Sequence, residues 1–305
     1  MKNNHILLLV LAFGLSIFVT GQQTPSFTEY NYNPFIINPA YAGVLGSSEL
    51  TISNIGFGGQ GIQGSPRSLT GTFNTPLRNE KMGLGFGFLN DEIGITSATQ
   101  ISGSYSYKIF LNDNAHPYWK VYDRSFVSFG LNAGALIYNQ DLLSLGLQSD
   151  PNFAENINTT LPTVGAGVLF GHANFFAGVS APNLLGETFA NQDNLELSQP
   201  IYGYTGYHFV LDRYNPNFVL KPSMLFKYEK GAPVQIDANL GLNFKNIIEL
   251  GAGYRTSNTL NAFLGFYLLE NFRFVYSYSQ GSGDSPLGNT HGIILSYRAG
   301  SGYSF

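Results

Sequence analysis

The stretch Phe126-Val-Ser-Phe-Gly-Leu-Asn-Ala-Gly-Ala-Leu-Ile-Tyr138 decides the fold. Val127, Phe129, Leu131, Ala133, Ala135 and Ile137 fall on one parity, and Ser128, Gly130, Asn132 and Gly134 on the other. Side chains on a strand alternate faces, so this strand has one greasy face and one small or polar face. The pattern recurs at Met82, Leu84, Phe86 and Phe88, at Ile236, Ala238, Leu240, Leu242 and Phe244, and at Phe272, Phe274, Tyr276 and Tyr278. A soluble sandwich also alternates. Here the apolar face runs through nearly every strand, charge is scarce and the chain opens on a secretion signal. Together these predict a transmembrane antiparallel β-barrel.

Composition agrees. Charged residues make up 11% of the 305 residues and aromatics 15%, against about 25% charged in soluble domains. Mean hydropathy is +0.00, as expected when lumen and lipid faces average out. The net charge of −4, with no basic run, argues against nucleic-acid binding. The absence of cysteine excludes a disulfide framework, a thiol nucleophile and Cys-ligated zinc. Residues 1–21 read as a signal peptide, with Lys2 before the apolar run Ile6 to Val19 and a cut near Gly21/Gln22. That run is short for a membrane-spanning anchor.

Strands are expected near 48–57, 67–76, 81–89, 97–110, 124–139, 162–171, 173–181, 201–211, 217–229, 232–244, 247–255, 258–268, 271–279 and 290–305. That is about fourteen, an even number as single-chain bacterial barrels require. The short turns near Leu77, His172, Asn246 and Glu270 share one phase, expected to be periplasmic. The long connections 140–161, 182–200 and 280–289 share the other. The connection 111–123 is the exception: an elaborated turn or a miscounted strand. Residues 22–47 precede the barrel, which spans 48–305. Asn33-Pro34 and Asn38-Pro39 forbid a ladder there. Its many aromatics need cover, and a fourteen-stranded lumen has space to fill. A plug or rim segment is expected, with Asn33 and Asn38 pairing to strand side chains.

On these registers Lys108, Lys221, Lys227, Asp237, Glu249, Arg255, Arg273 and Arg298 point into the lumen. A Lys or Arg facing lipid at mid-bilayer would cost about 2–4 kcal/mol. Mixed signs suggest ion pairs or water rather than a selective pore. The last strand is expected to run to the end, with Tyr303 and Phe305 on its lipid face as an assembly signal. Enzyme chemistry has little support: the histidines are isolated, no HExxH or GxSxG occurs, and no metal-ligand or cofactor spacing is present. Gly56-Phe-Gly-Gly-Gln-Gly61 matches GxGxxG but sits at a strand end with no helix, and reads as a loop.

The segment Tyr32-Asn33-Pro34-Phe35 through Asn38-Pro39-Ala40-Tyr41-Ala42-Gly43 resembles the N-terminal hallmark of the PorP/SprF family of Bacteroidota. Phe73-Asn-Thr-Pro76, Asn90-Asp-Glu-Ile-Gly94, Lys221-Pro-Ser223, Gly253-Tyr-Arg255 and Thr290-His-Gly-Ile293 are similar to its later strands. Phe57 stands where the family often has Trp, and Gly292 where it often has an acidic residue. The resemblance implies an outer-membrane protein of type IX secretion and gliding. Implied partners are outer-membrane lipid, a secreted surface protein or adhesin with a C-terminal sorting domain, and other type IX components. No catalytic residue, cofactor or metal comes with it. The alternative is a FadL-like transport channel for small solutes.

Overall fold

The computed structural model describes residues 28–57, 64–77, 80–112, 115–117, 119–146, 150, 153–185, 199–212, 214, 216–281 and 289–303. The expected signal peptide and most of the GxGxxG stretch lie outside them.

Fourteen antiparallel strands form one closed sheet. They are β1 (Glu49–Phe57), β2 (Arg67–Pro76), β3 (Met82–Ile93), β4 (Thr96–Phe110), β5 (Phe126–Gln140), β6 (Ile157–His172) and β7 (Phe175–Ala181). Then come β8 (Ile201–Tyr207, resuming as Phe209–Val210), β9 (Phe218–Tyr228), β10 (Gln235–Phe244), β11 (Ile248–Arg255), β12 (Thr259–Leu268), β13 (Phe272–Gly281) and β14 (Asn289–Arg298). Each strand pairs with its sequence neighbours, and β1 pairs with β14 from Glu49↔Arg298 to Phe57↔His291. The ring therefore has no free edge along this seam, which a spanning sheet in hydrocarbon requires.

Two irregularities have local causes. β8 breaks at His208, where the facing strand carries Pro222, which offers no N–H. On its other side the His208 amide donates to the Asn174 carbonyl, continuing the pairing with β7. In β1 the register shifts between Ile55 and Phe57. Gly56 there has φ +92°, and a Cβ would sit 2.2 Å from the Pro66 carbonyl oxygen.

The faces follow the sequence parity. Phe129, Leu131, Leu240, Leu250 and Leu295 are exposed on the outside, while Ser106, Ser128, Thr70 and Asn243 are buried within. The turns Lys245-Asn246 and Leu269-Glu270 have positive φ at both residues, the backbone that matches hairpin twist. They share an end of the barrel with both the start of β1 and the end of β14. In bacterial barrels that end faces the periplasm.

Among the described residues the connection after β4 is an elaborated turn and holds no further strand. It folds back so that Tyr122 is buried among Tyr30, Ile37, Ala40, Val44 and Phe126. One expectation is corrected. The last strand stops at Arg298, because Gly300 and Gly302 take φ +72° and +67° and the chain turns inward. Tyr303 is therefore not on the lipid face: it is 7% exposed inside the barrel end, and Phe305 lies outside the described residues.

Leu131 lies mid-strand on the outer face, whereas Leu269 sits on a turn and is 84% exposed. Leu131→Arg should lower folding stability in bilayers by about 2–4 kcal/mol, and Leu269→Arg by about 0–1. Denaturant titration into lipid vesicles measures both, and equal losses would displace the assigned membrane belt.

Candidate functional site: the N-terminal segment within the barrel

Residues 28–47 form three short 3-10 turns, Thr28–Asn31, Pro34–Ile36 and Pro39–Tyr41. Each Asn-Pro pair starts a turn, since Pro at the first position loses no hydrogen bond that the turn would have made. Asn38 caps the third turn, its Oδ1 accepting from the Ala40 amide at 2.8 Å. Its Nδ2 donates to the Val168 carbonyl on β6 at 3.1 Å and to the Tyr204 hydroxyl on β8 at 3.2 Å. Asn33 Nδ2 donates to Thr72 Oγ1 on β2 at 2.9 Å.

The segment makes no ladder, so its buried carbonyls need other donors. Strand side chains supply them. Ser106 donates to Ala42 O at 2.7 Å and Lys108 to Gly43 O at 2.9 Å. Ser128 donates to Ala40 O at 2.7 Å, Ser180 to Ile37 O at 2.6 Å, and Arg273 to Tyr32 O at 2.6 Å. The Gly43 amide donates to Asn74 Oδ1 at 3.1 Å. Tyr30 accepts from Asn239 Nδ2 at 2.8 Å. Burial pushes the Tyr30 hydroxyl up to about 12, so it stays neutral. Ser223 on β9 donates to Asn31 Oδ1 at 2.6 Å.

Glycines on the wall make the seat. A Cβ at Gly130 of β5 would lie 2.1 Å from the Ala40 nitrogen, and one at Gly167 of β6 would lie 2.1 Å from Asn38 Oδ1. Gly83 and Gly85 of β3 leave equal room for Ala42 and Phe35. Phe35 is 5% exposed, Ala40 is fully buried, and Pro39 is buried in its turn. Tyr32 meets Phe263 edge-on, with centroids 5.9 Å apart. Tyr41 is half-buried and, with Pro34, lines a cavity beside the segment.

The eight expected lumen charges are all engaged. Besides Lys108 and Arg273, Lys221 pairs with Glu249 at 2.9 Å, Lys227 with Glu229 at 3.4 Å and Arg298 with Glu49 at 3.2 Å. Arg255 grips Asp237 through Nε at 2.9 Å and Nη2 at 2.7 Å. Sequence reasoning missed Glu49, which sits at the start of β1 and accepts from Arg273, Arg298 and Tyr303. It also missed the serine belt. The signal was present in both: a polar residue on the inward parity.

Two histidines are less isolated than their spacing suggests. Ser125 Oγ lies 2.6 Å from His172 Nδ1 and 3.1 Å from His116 Nε2. Ser125 is 4% exposed, so the hydroxyl is shielded from an incoming acyl carbon. No group of three or more His, Cys, Asp or Glu suited to a metal occurs among the described residues.

The family model described as "Type IX secretion system membrane protein PorP/SprF" matches residues 19–297. The chain belongs to the PorP/SprF family. Membership makes it a membrane component of type IX secretion, in a family that is structural rather than enzymatic. PorP/SprF membership and the closed barrel together support an outer-membrane location. None of the curated proteins matches. Among solved structures, the outer membrane protein Omp33 of Acinetobacter baumannii is similar at TM-score 0.45 and 9% identity, covering 83% of this chain and 97% of that one. CdiB from Acinetobacter baumannii is similar at 0.37 and 9%, covering 83% and 60%. A mutant Rh. blastica porin is similar at 0.34 and 6%, covering 83% and 98%. None of these likenesses bears on what this PorP/SprF chain does.

The glycine seat yields a sharp expectation. Gly130→Leu should leave the strand ladder intact and displace the segment, so that residues 28–45 become cleavable by added protease while the barrel core resists. Limited proteolysis with mass spectrometry reads this, and an equally protected segment would contradict the seating.

Proposed function

We propose that this protein is an outer-membrane barrel of the type IX machinery that supports export or surface anchoring of a partner carrying a C-terminal sorting domain. Its signal peptide is removed near Gly21/Gln22, and the host is a Bacteroidota cell. Residues 22–47 act as a plug, so the protein serves as an anchor rather than a diffusion pore. The support is the spread of contacts made by the described part of the segment. It bonds to β2, β4, β5, β6, β7, β8, β9, β10 and β13. Strands β2 and β9 face each other across the ring, and a strap along the rim would not reach both. A lumen held by buried polar bonds and ion pairs suits a rigid anchor.

Conductance in planar bilayers tests the plug. The intact mature protein should be nearly silent, and deletion of residues 22–43 should open it at least tenfold. A large steady conductance from the intact protein would favour the transport-channel reading. Detergent extraction from the native outer membrane, followed by capture of the barrel, should co-purify a protein with a C-terminal sorting domain.

A further inference from the structure

A cavity of about 360 Å³ lies between the N-terminal segment and the wall formed by β6 to β14. It sits at the turn end, since Lys120 to Asp123, Asn246 and Ser301 to Tyr303 also line it. Its walls are rich in tyrosine: Tyr32, Tyr41, Tyr122, Tyr204, Tyr267 and Tyr303. The size falls within the range of small-molecule sites, about 300–1,000 Å³.

Its charges do not balance. Lys221 is matched by Glu249 at 2.9 Å. Arg273 and Arg298 share a single carboxylate, Glu49, at 3.4 and 3.2 Å. The Glu49 carboxylate also takes the Tyr303 hydroxyl at 2.8 Å, and Glu249 takes that of Tyr267 at 2.5 Å. Three cations, the buried Arg273 and the half-buried Lys221 and Arg298, thus face two carboxylates. Lys120 and Asp123 at the mouth offset each other, His208 adds no fixed charge, and Arg255 with Asp237 forms a closed pair nearer the loop end. A buried cation without a counter-ion is costly.

Unused donors coincide with the excess charge. Arg273 is 6% exposed, and its Nε has no hydrogen-bond partner. The Nε of Arg298 is likewise buried and without a partner. Aromatic rings hold both guanidinium groups in place: Arg298 lies 4.1 Å from the Tyr303 ring centroid, and Arg273 lies 4.7 Å from it and 5.2 Å from that of Tyr32. A fixed guanidinium fork with free N–H groups suits a carboxylate, and the surrounding rings suit an apolar body.

We propose that this cavity is a carboxylate-binding site facing the periplasmic end, for a monocarboxylate with an aromatic or aliphatic body. The source is either a free organic acid or the carboxyl end of a peptide. The site is independent of the secretion reading and of what the barrel exports.

The test is calorimetric titration of the full-length mature barrel in detergent. The probes are phenylpropionate, N-acetylphenylalanine, its amide, and a tripeptide ending in phenylalanine. The acids should bind and the amide should not. Arg298→Gln should weaken acid binding at least tenfold, and Arg298→Lys should weaken it less. Heat-modifiable gel migration confirms that each variant remains a folded barrel. If Arg298→Gln does not fold, the acid-against-amide contrast on the native protein decides alone. A tripeptide binding at least tenfold tighter than phenylpropionate identifies peptide ends as the source, and equal affinity identifies free acids. Failure of every acid to bind, or equal binding of acid and amide, overturns the proposal. So does a folded Arg298→Gln barrel with unchanged affinity.

Discussion

The structure depends on one requirement: an irregular, proline-broken backbone inside the barrel must find donors for its carbonyl groups. An unsatisfied buried carbonyl costs about 1–3 kcal/mol, and the Asn-Pro segment has several. Ser106, Lys108, Ser128, Ser180 and Arg273 answer them one by one. Those side chains come from β4, β5, β7 and β13, so the strands must close into a ring for the donors to converge. The inward glycines of β3, β5 and β6 follow from the same demand, since any Cβ there would collide with the segment.

Many of the inward polar side chains bond to this segment. On one side the serine belt and Lys108 bind carbonyls. On the other, Glu49 joins β1, β13 and β14 to the inturned Tyr303. That clamp lies at the seam where the first and last strands meet, so barrel closure and segment seating share Arg273. Removal of Arg273 would take away the donor to the Tyr32 carbonyl and leave Glu49 to Arg298 and Tyr303 alone.

The fold was largely legible from period and parity. Strand faces can be read because Leu131 and Asn132, one residue apart, must face opposite media. Connection lengths gave the orientation of the termini. The reading failed at the last strand, where Gly300 and Gly302 permit a turn that alternation conceals: Tyr303 keeps the lipid-face parity only if the strand continues. It also ran short at the segment's partners. Serines on an inward parity look like mere lumen lining until the chain that they bind is placed beside them. Glu49 was missed for a related reason: its inward parity was readable, but its partners Arg273 and Tyr303 lie 224 and 254 residues away. Long-range pairings of this kind leave no local pattern.

Thiol accessibility measures the seating of the segment most directly, because the native chain has no cysteine. Ala40 is fully buried, whereas Leu269 on a turn of the terminal end is 84% exposed. In isolated outer membranes, Ala40→Cys should resist a water-soluble maleimide until the barrel is heat-unfolded, while Leu269→Cys labels at once. Labelling of Ala40→Cys at the same rate as Leu269→Cys would contradict a segment seated within the barrel.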